Sequence, residues 1–305
     1  MKYIQNQLDY TIDEDTVITL GKFDGLHRGH ELLMETMFEK SRQCGYRTVV
    51  FTFDVPPRPQ EGPEGKVLTT NEEKRFIFEK SGVDYLFECP FTPEIRSMPP
   101  GRFIEWIVKA FHVRCIVVGK DFGFGHRREG NYLTLLDYAD RFGYEAIVLE
   151  KIREDGRDIS SSFVREEIRK GNIEKANRLL GYSFFVMNTV IDGKKLGRTL
   201  GIPTINMEFE KEKLLPPNGV YASRVKIDGR DYAAVTNVGC KPTVSDSGKI
   251  GVETHIIDYA GNLYGKRPAV EFLRFVRPEM RFASVEDLKA QMRADISFVT
   301  DLLQK

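Results

Sequence analysis

Between Thr16 and Glu150 the chain alternates short runs of β-branched residues with segments whose apolar residues recur three and four apart. That alternation constrains the fold more than any other feature. Strands joined by helices of this length are parallel neighbours, since a parallel pair needs a long crossover connection, and the series predicts a doubly wound parallel α/β sheet. The expected strands are "TVITL" (16–20), "RTVVFTF" (47–53), "VDYLFECP" (83–90), "RCIVVG" (114–119) and "YEAIVLE" (144–150). Leu33 to Met37 and Met34 to Phe38 keep helical spacing, and "NEEKRFIFEKSG" (71–82), "PGRFIEWIVKAF" (100–111) and "LTLLDYADRFG" (133–143) supply further helices. Such sheets bind ligands beyond the carboxyl ends of their strands. Two glycine-bearing stretches start there, "GKFDGLHRGH" (21–30) and "GKDFGFGHRREGN" (119–131).

Near Ser183 the texture changes. Runs such as "SFFVMNTVIDG", "GVYASRVKIDGRDYAAVTNVG" and "GVETHIIDYAGNLYG" are broken by Asp-Gly and Ala-Gly turns, which predicts a β-meander or barrel. The last segment returns to helix, with Leu288, Met292, Ile296, Val299 and Leu303 on one stripe and Ser284 as N-cap. The expectation is therefore two domains, 1–182 and 183–305: a doubly wound α/β domain, then a β-barrel domain with a C-terminal helix. The one Pro/Gly-rich stretch, "DVPPRPQEGPEG" (54–65), falls within the first domain as a loop.

A chain of 305 residues, 41% of them hydrophobic, can bury two cores. Lys plus Arg and Asp plus Glu both number 45, so the net charge is zero and no basic surface calls for nucleic acid or an anionic membrane. Cys44, Cys89, Cys115 and Cys240 are far apart and form no C-x-x-C pair, which fits a reducing cytoplasm. The acidic start "MKYIQNQLDYTIDEDT" does not resemble a leader, and no stretch reaches the roughly 20 apolar residues of a membrane span.

Only five histidines occur, and two of them, His27 and His30, stand three apart at the exit of a strand. At that spacing both can face one ligand. A phosphate fits, because a helix N-terminus adds free N–H groups and a positive dipole end. A metal is a second possibility, although no third ligand has suitable spacing. An ordinary pair of surface histidines is the third. No G-x-x-x-x-G-K-[ST] occurs, and "GFGHRREG" fails the G-x-G-x-x-G spacing, so phosphate handling lies elsewhere. "DISSSFVREEIRKGN" (158–172) offers Ser160, Ser161 and Ser162 before a helix carrying Arg165 and Arg169, a combination suited to a polyphosphate and equally to plain N-capping with solvated arginines.

Taken in order, "LGKFDGLHRGH", "VVGKDFGFGHRREGN" and "ISSSFVREEIRKGNIEKANRLLG" resemble motifs of the bacterial bifunctional riboflavin kinase/FAD synthetase family. "LGRTLGIPTINM", "LLPPNGVYA", "NVGCKPTV", "VETHIIDYAGNLYG" and "FVRPEMRFASVEDLKAQMRADI" are similar to the kinase half of the same family. The resemblance spans nearly the whole chain. It implies riboflavin phosphorylation to FMN by the C-terminal domain and adenylyl transfer from ATP to FMN by the N-terminal domain, giving FAD and pyrophosphate. The implied requirements are ATP and Mg²⁺, with small molecules as the partners; the oligomeric state is open.

By the same resemblance, His27 and His30 contact the ATP phosphates in the transition state, within a loop that includes Gly21, Phe23, Asp24 and Gly25. Ser160, Ser161 and Arg165 grip the polyphosphate, and Asp121 and Phe124 border the flavin or nucleotide. In the second half, Gly201 and Pro203 belong to the ATP-binding element, Thr204 and Asn206 hold Mg²⁺, and Glu253 is the catalytic carboxylate. Chemistry agrees for the last three. Thr204 and Asn206, two apart on an extended segment, can turn both oxygens to one metal, while Glu253 can orient an attacking hydroxyl. A strand glutamate paired with a cross-strand lysine is the plainer reading of Glu253. The chain departs from the family's usual pattern at "FDVPP" (53–57), at Lys22 and at Ile205. Two further readings are a riboflavin kinase whose N-terminal domain no longer transfers AMP, and a non-catalytic flavin-binding protein.

Overall fold

A computed structural model of the chain describes residues 1–54, 66–193, 196–239 and 250–303. The chain forms two compact units, Met1–Arg58 with Thr70–Ser160, and Pro59–Thr69 with Ser161–Lys305.

The first unit is built on six strands: β1 (Lys2–Gln5), β2 (Thr16–Leu20), β3 (Arg47–Phe53), β4 (Tyr85–Cys89), β5 (Val113–Gly119) and, after two residues of each of β6 (Gly123–Phe124) and β7 (Gly130–Asn131), β8 (Glu145–Leu149). The order across the sheet is β1-β4-β3-β2-β5-β8, and every pairing is parallel. All five residues of β2 are buried, as expected for a central strand covered on both faces. The helices are α1 (Arg28–Cys44), α2 (Asn71–Ser81), α3 (Pro93–Ser97), α4 (Pro100–Ala110) and α5 (Tyr132–Phe142). Ile104 and Ile107 of α4 and Leu135 of α5 join Ile18, Phe51, Phe87 and Ile116 of the strands in one core. Helix α2 starts at a capping box, in which Thr70 Oγ1 accepts from the Glu73 N–H and Glu73 accepts from the Thr70 N–H. A short hairpin, β9 (Arg153–Glu154) and β10 (Arg157–Asp158), closes the unit.

The second unit opens with α6 (Ser161–Arg169) and α7 (Ile173–Leu180), followed by β11 (Phe185–Met187), α8 (Leu196–Thr199), β12 (Ile205–Phe209), β13 (Gly219–Ile227), β14 (Arg230–Gly239), β15 (Ile250–Ile256), β16 (Ala269–Arg277) and α9 (Val285–Leu303). The antiparallel order is β11-β16-β13-β14-β15-β12, and a bridge from Ile191, just beyond β11, to Asn206 of β12 draws the two edges together. Asp228 and Gly229, both at positive φ, form the two-residue turn between β13 and β14 that Asp-Gly favours. One face of the curled sheet is the core, where the hydroxyls of Ser223, Thr236 and Thr254 run as a chain with contacts of 2.6 and 3.0 Å. Helix α9 packs on the other face, with Ser284 Oγ accepting from the Asp287 N–H at its start.

Three expectations change. Strand β1 lies in a stretch that the sequence marks only as unlike a leader. Helix α6 begins at Ser161, so Ser161 and Ser162 occupy its first turn and Ser160 alone precedes it. On α9, Val299 is buried but Leu303 is exposed, and the buried residue between them and Leu288 is Asp295. Cys240, most of "NVGCKPTV", and Val55 to Pro57 of "FDVPP" lie outside the described residues.

Candidate active sites

In the first unit, β2 ends at Leu20 and the loop turns into α1 within seven residues. The turn is tight: Phe23 has φ 49°, Gly25 φ 81° and Leu26 φ 34°. Phe23 is fully buried, its ring 5.0 Å from that of His30 and 5.5 Å from that of Phe78 on α2. His27 is the residue at the N-cap of α1, and its ring stacks on His30 at 3.9 Å with planes 21° apart. Both imidazoles therefore stand at the start of a 17-residue helix, where free N–H groups and the dipole favour an anion. Burial, with the charge of His27 adding to it, holds the pKa of His30 well below the ordinary histidine value. Its Nδ1 is buried without a hydrogen-bond partner. Asp24 is half-buried in the loop, and the Gly21 N–H donates to the Phe51 carbonyl at 3.1 Å.

The glycine-rich loop after β5 also sits at a strand's carboxyl end. Asp121 there pairs with Lys151 at 3.1 Å. Phe124 is buried against Phe103 and stacks at 5.4 Å on the half-buried Phe122, so Phe122 is the more open ring of the two. Ser160 belongs to the first unit, whereas Ser161 and Arg165 belong to the second, where Arg165 Nε donates to the Lys66 carbonyl at 2.8 Å.

In the second unit, strand register gathers the residues singled out in sequence. Asn206 of β12 lies directly opposite Glu253 of β15, and Glu253 lies opposite Asn237 of β14. Directly paired residues share a face, so two amides flank one carboxylate across three strands. That face forms one wall of a cavity of about 390 Å³, within the range of small-molecule sites, and Thr204, Glu253, Asn237 and His255 line it. Leu288, Met292 and Ile296 of α9 form the opposite wall. Three of the five residues of the predicted α9 stripe therefore line a cavity, while Val299 is buried.

Beside the cavity, Arg277 holds Asp295 through Nε at 3.0 Å and Nη2 at 2.7 Å, and Gln291 adds a third donor to the same carboxylate at 2.9 Å. His255 Nδ1 donates to the Pro203 carbonyl at 2.7 Å, fixing the segment that leads into Thr204; Gly201, two residues earlier, turns at φ 76°. Asn206 is buried, and its Oδ1 has no hydrogen-bond partner. Gly193 lies so close beneath that any Cβ there would collide with the Asn206 amide. Asn237, His255, Arg277 and Asp295 were not singled out in sequence, since only cross-strand register and the return of α9 bring them to Glu253.

Among the described residues, no three His, Cys, Asp or Glu side chains are grouped to hold a metal, and no helix is long and apolar enough to cross a membrane. A parallel α/β unit with an imidazole pair at a helix N-terminus, joined to a curled antiparallel unit with a carboxylate-lined cavity, defines a two-part phosphate-handling transferase. Residues 9–163 match the family model described as FAD synthetase, and residues 180–303 match that described as riboflavin kinase. The bifunctional riboflavin kinase/FMN adenylyltransferase of Listeria monocytogenes is 34% identical over 302 residues, covering 97% of this chain and 96% of its own. That of Escherichia coli is 34% identical over 304 residues, with the same 97% and 96% coverage. A crystal structure described as a macrolide-efflux protein from Streptococcus pneumoniae superposes with a TM-score of 0.85 at 29% identity, covering 98% of this chain and 99% of that one. The chain belongs to the bifunctional riboflavin kinase/FMN adenylyltransferase family.

Proposed function

We infer that the chain carries out both activities of its family, phosphorylating riboflavin to FMN with residues 183–305 and transferring AMP from ATP to FMN with residues 1–182. The observation that carries the kinase reading is the row Asn206, Glu253 and Asn237, of which Glu253 and Asn237 line a cavity walled by α9. In the phosphorylation step the ribityl hydroxyl attacks the γ-phosphorus of ATP. Glu253 accepts its proton or orients it, and ADP leaves. Phosphoryl transfer asks the protein mainly for positioning and charge.

Thr204 and Asn206 would hold Mg²⁺. The fit rests on the buried, unpartnered Oδ1 of Asn206 and on the preference of Mg²⁺ for oxygen ligands. When bound, Mg²⁺ neutralises charge on the transferring phosphoryl group. His255 acts one step back, holding Pro203 so that Thr204 faces the cavity.

In the adenylylation step an FMN phosphate oxygen attacks the α-phosphorus of ATP, and pyrophosphate departs. His27, His30 and the N-terminus of α1 stabilise the charge that develops there. Because His30 is held neutral, its imidazole offers a single N–H to an incoming phosphate without paying for a buried cation. Ser160, in the same unit, would take part in holding the leaving polyphosphate. The unpaired thiols of Cys44, Cys89 and Cys115 support a cytoplasmic setting. The test is a time course of the pure protein with riboflavin, ATP and Mg²⁺. FMN should rise first and FAD should follow at its expense; accumulation of FMN with no FAD would leave a kinase alone.

A further inference from the structure

Lys74 is a buried lysine whose chemistry the two sites leave unused. It lies on the first turns of α2 and is 2% exposed. Lysines are rarely buried without compensation, because the ammonium loses its hydration. Here burial lowers the pKa of Lys74, while Glu88 at the end of β4, Asp24 in the β2–α1 loop and Asp54 after β3 oppose that effect. These carboxylates come from separate segments at the carboxyl edge of the sheet, the edge at which His27 and His30 stand.

The hydrogen bonds give the lysine a direction. Its Nζ donates to Thr52 Oγ1 and to the Phe53 carbonyl, each at 3.3 Å. Thr52 Oγ1 in turn donates to the carbonyl of Lys22, also at 3.3 Å. Lys22 opens the turn in which Phe23 and Leu26 both have positive φ, a conformation that persists only where the surroundings over-determine it. Helix α2 supplies two such constraints: Phe78 packs against the Phe23 ring, and Lys74 reaches the Lys22 carbonyl through Thr52.

We propose that Lys74 is a positioning residue for adenylyl transfer, acting through Thr52 on the Lys22 carbonyl to hold the turn that presents His27 and His30. The proposal rests on the reading of the first unit as the adenylyltransferase. Lys74 does not touch the substrates; it fixes the geometry of the groups that do. Loss of such a constraint misplaces the imidazoles more in the transition state than in ground-state binding, so kcat should fall while KM holds.

The test uses the full chain carrying Lys74→Met, Thr52→Val or both, assayed for FAD formation from FMN and for FMN formation from riboflavin. Lys74→Met removes the cation that faces the buried Glu88 and so costs stability. Thr52→Val removes no charge, and it carries the test should Lys74→Met not fold. Each single variant is expected to lower kcat for FAD formation by roughly 10²-fold, the scale of small misplacements remote from the chemistry, with KM for FMN and ATP within about twofold. The double variant should be no worse than Lys74→Met, because both changes cut one relay. Riboflavin phosphorylation should stay at the wild-type rate. Unchanged FAD kcat in both folded single variants would overturn the proposal, as would additive losses in the double variant or a change confined to KM. If the wild type makes no FAD, the adenylyltransferase reading fails and the proposal with it; if the wild type makes FAD and both variants match it, only the role of Lys74 fails.

Discussion

Asn206 and Glu253 face one another directly across the β12–β15 ladder, so the proposed metal ligand and the proposed base are held by one hydrogen-bonded register. A slip of one residue in either strand would turn its side chain to the opposite face and end the pairing. Their relation is therefore set by the fold and does not depend on a loop. Glu253→Gln keeps the size and removes the base. It should lower kcat for FMN formation by roughly 10²–10⁴, with ATP affinity preserved, as read by initial rates and equilibrium ATP binding.

Asn206→Asp adds a charge next to Glu253 and exchanges a neutral oxygen ligand for a carboxylate. The Mg²⁺ concentration giving half-maximal FMN formation should move, while the KM for riboflavin stays within about twofold. A Mg²⁺ titration at fixed ATP checks this. An unmoved midpoint with a raised riboflavin KM would place Asn206 at the flavin.

Asp295 is the buried anchor of α9, its side chain 5% exposed against 17% for Arg277. Asp295→Ala leaves the guanidinium without its counter-ion, and breaking a buried pair from one side costs about 3–5 kcal/mol. The only tryptophan, Trp106, lies in the first unit. Its fluorescence transition in urea should stay in place while the circular dichroism transition of the second unit moves to lower urea. The KM for riboflavin should rise as the Leu288, Met292 and Ile296 wall loses its anchor.

His30 contributes a pH dependence of stability. Its folded pKa lies well below the ordinary 6.5, so between the two values the unfolded chain binds more protons. Stability is then fully present above about pH 6.5 and declines as pH falls toward the depressed folded value. His30→Asn should flatten that part of the stability profile, measured by urea unfolding of the first unit at successive pH values.

Much of this was legible in sequence for local reasons. The helices of the first unit show themselves by three- and four-residue spacing, and the central strands by short β-branched runs such as Thr16–Leu20. The sequence carried no mark of β1, because four residues have no periodicity of their own and owe their state to pairing with β4, some eighty positions away. On α9 the Leu288, Met292 and Ile296 stripe has the spacing of a core face, and hydrophobicity alone does not distinguish a wall against side chains from a wall against a cavity. His27, His30, Thr204, Asn206 and Glu253 stood in recognisable motifs. His255, Asn237 and Arg277 became visible only through register, and Lys74 reads in sequence as one more solvated helix lysine in "NEEKRF".

The central claim is that two chemistries are divided between two sites on one chain. The most direct measurement feeds Glu253→Gln and His30→Ala proteins separately with riboflavin or with FMN, in the presence of ATP and Mg²⁺, and resolves FMN from FAD. Glu253→Gln should convert supplied FMN to FAD at the wild-type rate while making almost no FMN from riboflavin, and His30→Ala should make FMN normally and stop there. Loss of both products in either folded variant would contradict the division.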